Sequence, residues 1–290
     1  MHPKLNILIV NYNGKHLLEN LFASMEQQDF GKSRYALQIW VVDNGSSDGS
    51  QAYLRSLNHI RCIEAGSNLG FAKANNLALS QMKGTYCLML NSDTLFTDKS
   101  NLDDWLDWMD KQTEVGISSP KLIRRDGTLD PACHRGEPDP WTAFCYFSGL
   151  ARLFPNWKTV AGYHQTYKNL DATHLIDACS GAALLLRLDA IEDVGLLDER
   201  FFMYAEDLDW CKRFRDSGYS VAYYPSVEII HLKYQSGLEN QAAQRNTNHW
   251  FYTTMLQYYD KHYANQYPGI VRWVLHTWVH RKLRQPSKMR

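Results

Sequence analysis

The chain has 290 residues, with 31 Lys and Arg against 31 Asp and Glu and a hydrophobic fraction of 44%. That length and apolar content suit one large globular domain or two small ones, and exclude a disordered or collagen-like chain. A net charge of zero excludes a uniformly basic nucleic-acid binder, while 9 Trp, 17 Tyr and 11 Phe suggest a surface for flat ligands such as bases or sugar rings.

The first apolar run, Leu5 to Val10, is β-prone and too short for a signal-peptide core, and no later run reaches bilayer-spanning length. Leu17, Leu18, Leu21, Phe22 and Met25 then recur at helical spacing. Ile39 to Val42 reads as a second strand, followed by the turn-rich stretch Asp43 to Gly49 and a helix through Leu57. Ile60 to Ala65 is a third strand, Phe71 to Met82 a helix and Tyr86 to Leu90 a fourth strand. Leu102, Trp105, Leu106 and Met109 mark one more helix face, and Val115 to Ile123 is extended. Residues 126–174 lack periodicity and are rich in aromatics, as expected of a functional loop or lid. A strand pattern resumes over Leu175 to Leu188, and a helix is predicted from about Asp207 to Ser217, closed by Gly218. Extended pieces follow at Val221 to Tyr224 and near Glu228 to Leu232; from Glu239 the chain reads as helix, broken around Tyr267-Pro268-Gly269. The six cysteines form no C-x-x-C, which suits a reducing cytosol and small buried thiols.

Apolar strands alternating with helices predict an α/β fold with a parallel sheet covered on both faces, and in such sheets ligands gather at the carboxyl ends of the strands. The polar clusters there are Asn11-Tyr12-Asn13, Asp43-Asn44-Gly45-Ser46, Gly66 to Gly70 and Asn91-Ser92-Asp93. Asn91-Ser92-Asp93 is either an Asx turn or a seat for a hard divalent cation that bridges phosphates. Asp43 is either a turn former or an acceptor for a ribose hydroxyl or base N–H. Asp207 caps the helix it opens or serves as a general base, and His231 is an ordinary histidine at a strand end or a metal ligand. No G-x-G-x-x-G follows the first strand and no G-x-x-x-x-G-K-[ST] occurs, which excludes a dinucleotide dehydrogenase and a P-loop kinase.

In this order the motifs resemble the family 2 glycosyltransferases of the GT-A fold, over roughly residues 5 to 235. Ile9-Val10-Asn11-Tyr12-Asn13 matches the family's first strand and base loop, and Val41 to Ser50 its second signature. Asn68-Leu69-Gly70-Phe71-Ala72-Lys73-Ala74-Asn75-Asn76 is similar to the rhamnosyltransferase-like branch. The resemblance implies a Rossmann-like, mostly parallel sheet flanked by helices. It assigns Asn11, Tyr12, Asn13, Asp43, Asn44, Asn68, Gly70, Lys73, Asn75, Asn91 and Ser92 to the nucleotide sugar. Asn91-Ser92-Asp93 stands where the family has D-x-D, with Asn for the first carboxylate, so Asp93 and His231 are the implied ligands of Mg²⁺ or Mn²⁺. Ser180 to Ala183 and Phe201 to Asp207 resemble the acceptor side, with Asp207 as the catalytic base. The Q-x-x-R-W signature of processive synthases is absent.

The expected organisation is a glycosyltransferase domain over 1–238 (nucleotide-sugar half 1–125, acceptor half 126–238) and a helical, basic, aromatic extension over 239–290. From Arg245 onward eight Lys and Arg face only Asp260, a net of +7, so the preceding 244 residues carry −7. Val271, Val274, Leu275 and Trp278 make an apolar stripe beside Arg272, His276, His280 and Arg284. That pattern reads either as an interfacial anchor through 268–290 or as a helix packed on the core or on a second subunit. The expectation is therefore an inverting, metal-dependent, non-processive transferase. It would move one sugar, rhamnose from dTDP-rhamnose as the first reading, to a glycan or lipid-linked glycan in bacterial surface polysaccharide synthesis. Its place would be the cytoplasm or the inner face of the membrane, with no nucleic-acid partner. A sugar-1-phosphate nucleotidyltransferase and a non-catalytic sugar-binding relative are the alternatives.

Overall fold

The structure, a computed structural model, describes residues 4–28, 33–233 and 241–284, the last span without the side chains of 241–246. The expected boundary at 238/239 and residues 285–290 of the tail lie outside the described residues. Among the described residues nine strands make one sheet: β1 (Leu5–Asn11), β2 (Leu37–Asp43), β3 (Ile60–Glu64), β4 (Tyr86–Asn91), β5 (Thr94–Phe96), β6 (Val115–Ile123), β7 (His174–Ile176), β8 (Ala183–Arg187) and β9 (Ser220–His231). Their order is β3-β2-β1-β4-β8-β6-β9-β5, with β7 paired to β9. β3, β2, β1 and β4 are parallel, as are β6 and β9; β8 runs antiparallel between β4 and β6. Leu5, Ile7, Leu8 and Ile9 are wholly enclosed, the signature of a strand covered on both faces.

Helices α1 (Lys15–Gln27), α2 (Ser50–Arg55), α3 (Phe71–Leu79) and α4 (Leu102–Lys111) follow the strands in the predicted order. Their buried faces repeat the sequence periodicity: Leu17, Leu18, Leu21, Phe22 and Met25 on α1, Leu102, Trp105, Leu106 and Met109 on α4.

The second half departs from expectation at four points. Residues 126–174 contain a 3-10 turn (Pro131–Cys133), α5 (Pro140–Ser148) and α6 (Leu150–Leu153). The extended run over 175–188 is two strands, because Cys179-Ser180-Gly181 leaves the sheet and turns toward the site. After the short α7 (Ala190–Val194), α8 spans Glu206–Asp216 with Ala205 as its N-cap residue, so Asp207 sits second inside the helix. The two pieces expected around 221–232 are the single strand β9, whose pairing to β6 shifts register between Pro120 and Lys121.

The C-terminal helices α9 (Gln241–His262) and α10 (Gly269–Leu283) dock on this second half. Tyr258, Tyr259 and Tyr263 form a second small core with Phe201 and Ala205, and Val271 and Leu275 of α10 pack against it. The expected α10 stripe is thus divided: Val271 and Leu275 face inward, while Val274 is half exposed. No helix among the described residues is long and apolar enough to cross a membrane.

Candidate active site

The loops after β1, β2 and β4 converge, as their parallel register requires. Asn11 pairs across to Asp43 in the β1–β2 ladder, and its Nδ2 donates to Asp43 Oδ2 (3.3 Å) and to Ser46 Oγ (3.2 Å). Asp43 Oδ1 accepts from the Ser46 amide (3.0 Å) and Gln51 Nε2 (3.0 Å), and the side chain is wholly buried. Asp43, implied to hold the nucleotide, therefore braces the loop with both oxygens engaged by protein donors. Asn13, at φ +51°, accepts the Ser47 amide at 2.7 Å. Asn44 Oδ1 accepts the Leu69 amide (2.9 Å), its Nδ2 reaches Asn68 Oδ1 (3.1 Å), and Asn68 Oδ1 also accepts the Gly70 amide (3.0 Å).

These bonds leave particular groups open. Asn11 Oδ1 is buried and has no hydrogen-bond partner among the described residues, and a Cβ added at Gly14 would lie 2.7 Å from it and 3.4 Å from Ser92 Oγ. Tyr12 and Lys73 present exposed side chains. Asn75 is buried and donates to the Phe71 carbonyl of its own helix at 2.8 Å. Asn91 hydrogen-bonds through its backbone, from its amide to the Ala182 carbonyl (2.9 Å) and from Thr94 Oγ1 to its own carbonyl (2.8 Å).

Asp93 and His231 come together because β5 pairs antiparallel with the end of β9, opposing Thr94 to His231. His231 Nε2 faces Asp93 Oδ1 at 3.5 Å, and its Nδ1 bonds Asp130 Oδ2 at 2.9 Å; Lys233 holds the other Asp130 oxygen at 2.9 Å. Burial alone would lower the imidazole pKa, but the hydrogen bonds to Asp130 and Asp93 outweigh it and raise it to about 9. The 3.5 Å spacing is close to the ~3 Å between neighbouring ligands on a six-coordinate ion. A carboxylate behind Nδ1 is the usual support of a metal-binding imidazole. Among the described residues no group of three or more His, Cys, Asp and Glu side chains could hold a metal by itself. Asp93 and His231 would fit a divalent cation only when the imidazole gives up its Nε2 proton to it.

Asp207 lies at the start of α8, where free helix amides favour a carboxylate. Its Oδ1 accepts from the Leu208 amide (2.8 Å), and its Oδ2 from Arg135 Nη2 (2.7 Å) and the Gly181 amide (3.1 Å). The side chain keeps 13% of its surface exposed, so it is held in place yet reachable. Tyr204 and Ala205, at φ +69° and +64°, make the tight entry that aims the helix start at Gly181. Just before it, Phe202 O accepts the Phe71 amide at 2.7 Å, which joins the loop after β3 to the α8 entry. Neighbouring Glu206 is fully enclosed; burial and then the charge of Asp207 push its carboxyl up to about 8.

Sequence reading missed Arg135, Asp130 and Lys233. The 72 positions between Arg135 and Asp207 and the 101 between Asp130 and His231 carry no local periodicity that could announce either pair.

A model of glycosyl transferase family 2 matches residues 6–193. The chain is 27% identical to the N-acetylglucosaminyl-diphospho-decaprenol L-rhamnosyltransferase of Mycobacterium tuberculosis H37Rv, over 95% of this chain and 90% of that one. It is also 27% identical to rhamnosyltransferase WbbL of Escherichia coli K12, over 84% and 86%. Among solved structures, mannosyltransferase PcManGT from Pyrobaculum calidifontis, in complex with GDP-Man and Mn²⁺, superposes with a TM-score of 0.60. That match covers 98% of this chain and 71% of that one at 18% identity.

Proposed function

The chain belongs to glycosyl transferase family 2, and from that premise we propose that it is an inverting, metal-dependent, non-processive transferase acting in bacterial surface polysaccharide synthesis. It moves one sugar from a nucleotide-diphosphate sugar to a hydroxyl of a glycan or lipid-linked glycan. The observation that carries this reading is the Asp207 carboxylate, fixed by Arg135 and the Gly181 amide, partly exposed, and joined through Phe202 to the strand-end loops. Two relatives named rhamnosyltransferases support rhamnose as the transferred sugar, and dTDP-rhamnose is the first donor proposed. The diphospho-decaprenol in the mycobacterial relative's name supports a lipid-linked acceptor; work at the inner membrane face, with contact through residues 268–290, is part of the proposal.

Asn11 Oδ1 offers an acceptor for a base N–H, while Asp43, Asn44 and Asn68 keep the surrounding loops in shape. Asp93 and His231 would hold Mg²⁺ or Mn²⁺, with Asp130 orienting the imidazole. Such a cation neutralises charge collecting on the departing diphosphate. Asp207 takes the proton of the acceptor hydroxyl as that oxygen bonds to the anomeric carbon from the face opposite the diphosphate. The carbon–oxygen bond to the diphosphate breaks with its electron pair, and one displacement inverts the centre.

Nucleotide sugars are screened first by thermal shift, since a bound donor raises apparent stability. With the donor so found, Asp207→Asn is expected to lower the transfer rate by about 10²–10⁴-fold with donor affinity near that of the wild type. Transfer at the wild-type rate would refute the role given to Asp207.

A further inference from the structure

We propose that α5, α6 and α10 together form one bilayer-docking face for an anionic membrane. The inference deepens the lipid-linked-acceptor reading and rests on it for its purpose. Trp141 and Phe144 on α5 are 52% and 56% exposed, and Trp157 after α6 is 58% exposed. On α10, Ile270, Trp273 and Val274 are 50–63% exposed. Monomeric soluble proteins rarely present so many large apolar side chains in one place.

Side-chain contacts join these elements into one surface. Trp141 Nε1 donates to the Thr159 carbonyl at 2.9 Å, tying the start of α5 to the segment after α6. Trp141 stands 5.8 Å from Phe144, and Phe147 stands 5.0 Å from Trp278 of α10. Val274 lies one turn before Trp278, and Lys282, one turn after, sits over the Trp278 ring at 5.7 Å. Residues 140–158 and 269–284 contain no Asp or Glu, while Arg152, Lys158, Arg281, Lys282 and Arg284 flank the aromatics. Exposed Trp and Phe with basic neighbours and no acids match the interface of an anionic leaflet, where rings sit at headgroup level and cations meet lipid phosphates. The position is also right for the chemistry. Pro140 opens α5 five residues after Arg135, which holds Asp207, and such a span reaches at most about 18 Å. Docking through this face keeps the catalytic carboxylate near an acceptor whose lipid stays in the bilayer.

The test sediments the full chain, without donor, with vesicles of phosphatidylcholine alone or with about 30% phosphatidylglycerol. Binding is expected on the anionic vesicles, weakening with salt. It should fall about tenfold or more in Phe144→Glu/Trp157→Glu and in Trp273→Glu, with circular dichroism unchanged. Lipids brominated in the acyl chains should quench wild-type Trp fluorescence, a readout that needs no variant. Absence of wild-type binding or quenching overturns the proposal, as does wild-type binding by folded variants. A concentration-dependent dimer that ignores vesicles and becomes monomeric in Phe144→Glu/Trp157→Glu also overturns it, and gives the face to a second copy. Since no donor is present, failure here is distinct from failure of sugar transfer.

Discussion

Glu206 and Asp207 are neighbours in the chain with opposite surroundings. Among the described residues Asp207 has three hydrogen-bond donors and an open edge, whereas Glu206 is buried and its Oε2 has no hydrogen-bond partner. The folded protein therefore keeps Glu206 protonated up to about pH 8, while the unfolded chain releases that proton near 4.5. Stability from this group is fully present below the unfolded pKa and is lost as pH rises through the folded one. Urea unfolding across about pH 5 to about pH 9 is expected to show the wild type losing stability relative to Glu206→Gln. Parallel curves would remove the buried proton from the account. Asp93, Asp207 and His231 could be picked out as candidates in the sequence because each stands by a strand end or a helix start beside small and polar residues. Arg135 and Asp130 were not, since their partners arrive only when the loop folds over the sheet.

β1 and β4, buried on both faces, announced themselves as apolar runs, and β2, β6 and the partly exposed edge strand β3 also lie where the sequence predicts extended segments. α5 escaped because Pro-Trp-Thr-Ala-Phe-Cys-Tyr-Phe-Ser is apolar nearly all round, so no helical face stands out. Its end signals were nonetheless present. Asp139 accepts the Trp141 and Thr142 amides, Pro140 fills the first turn, and Gly149 closes the helix at φ +84°. Gly70 shows how elements meet. At φ +83° it precedes α3, and an added Cβ would lie 2.5 Å from the Phe202 carbonyl. Gly70→Ala is expected to cost about 1–3 kcal/mol in chemical unfolding and to weaken donor binding, because it pushes the loop after β3 off the α8 entry. Unchanged stability and affinity would disconnect that loop from the site.

The zero net charge joins an acidic body to a basic tail, and the structure shows how much of the tail is used internally. Asp209, wholly buried, accepts from Lys261 (2.5 Å) and His262 (2.7 Å) of α9 and from Arg213 (2.9 Å). Burial works to raise its pKa, and these partners hold it below the ordinary carboxylate range. Tyr258 and Tyr263 both donate to Glu137, which also pairs with Arg215 of α8. Lys261→Met/His262→Leu should therefore lower stability by about 3 kcal/mol, because a buried carboxylate loses two of its partners. A neutral effect would make α9 a passive neighbour. Arg281, Lys282 and Arg284, at the end of α10, take no part in this internal network. The proposed reaction is a single displacement at the anomeric carbon by a hydroxyl that Asp207 would deprotonate. The most direct measurement is proton NMR of the newly formed linkage, made with the donor identified by thermal shift. A product anomer opposite to the donor's agrees with the account, and a product retaining the donor's configuration contradicts it.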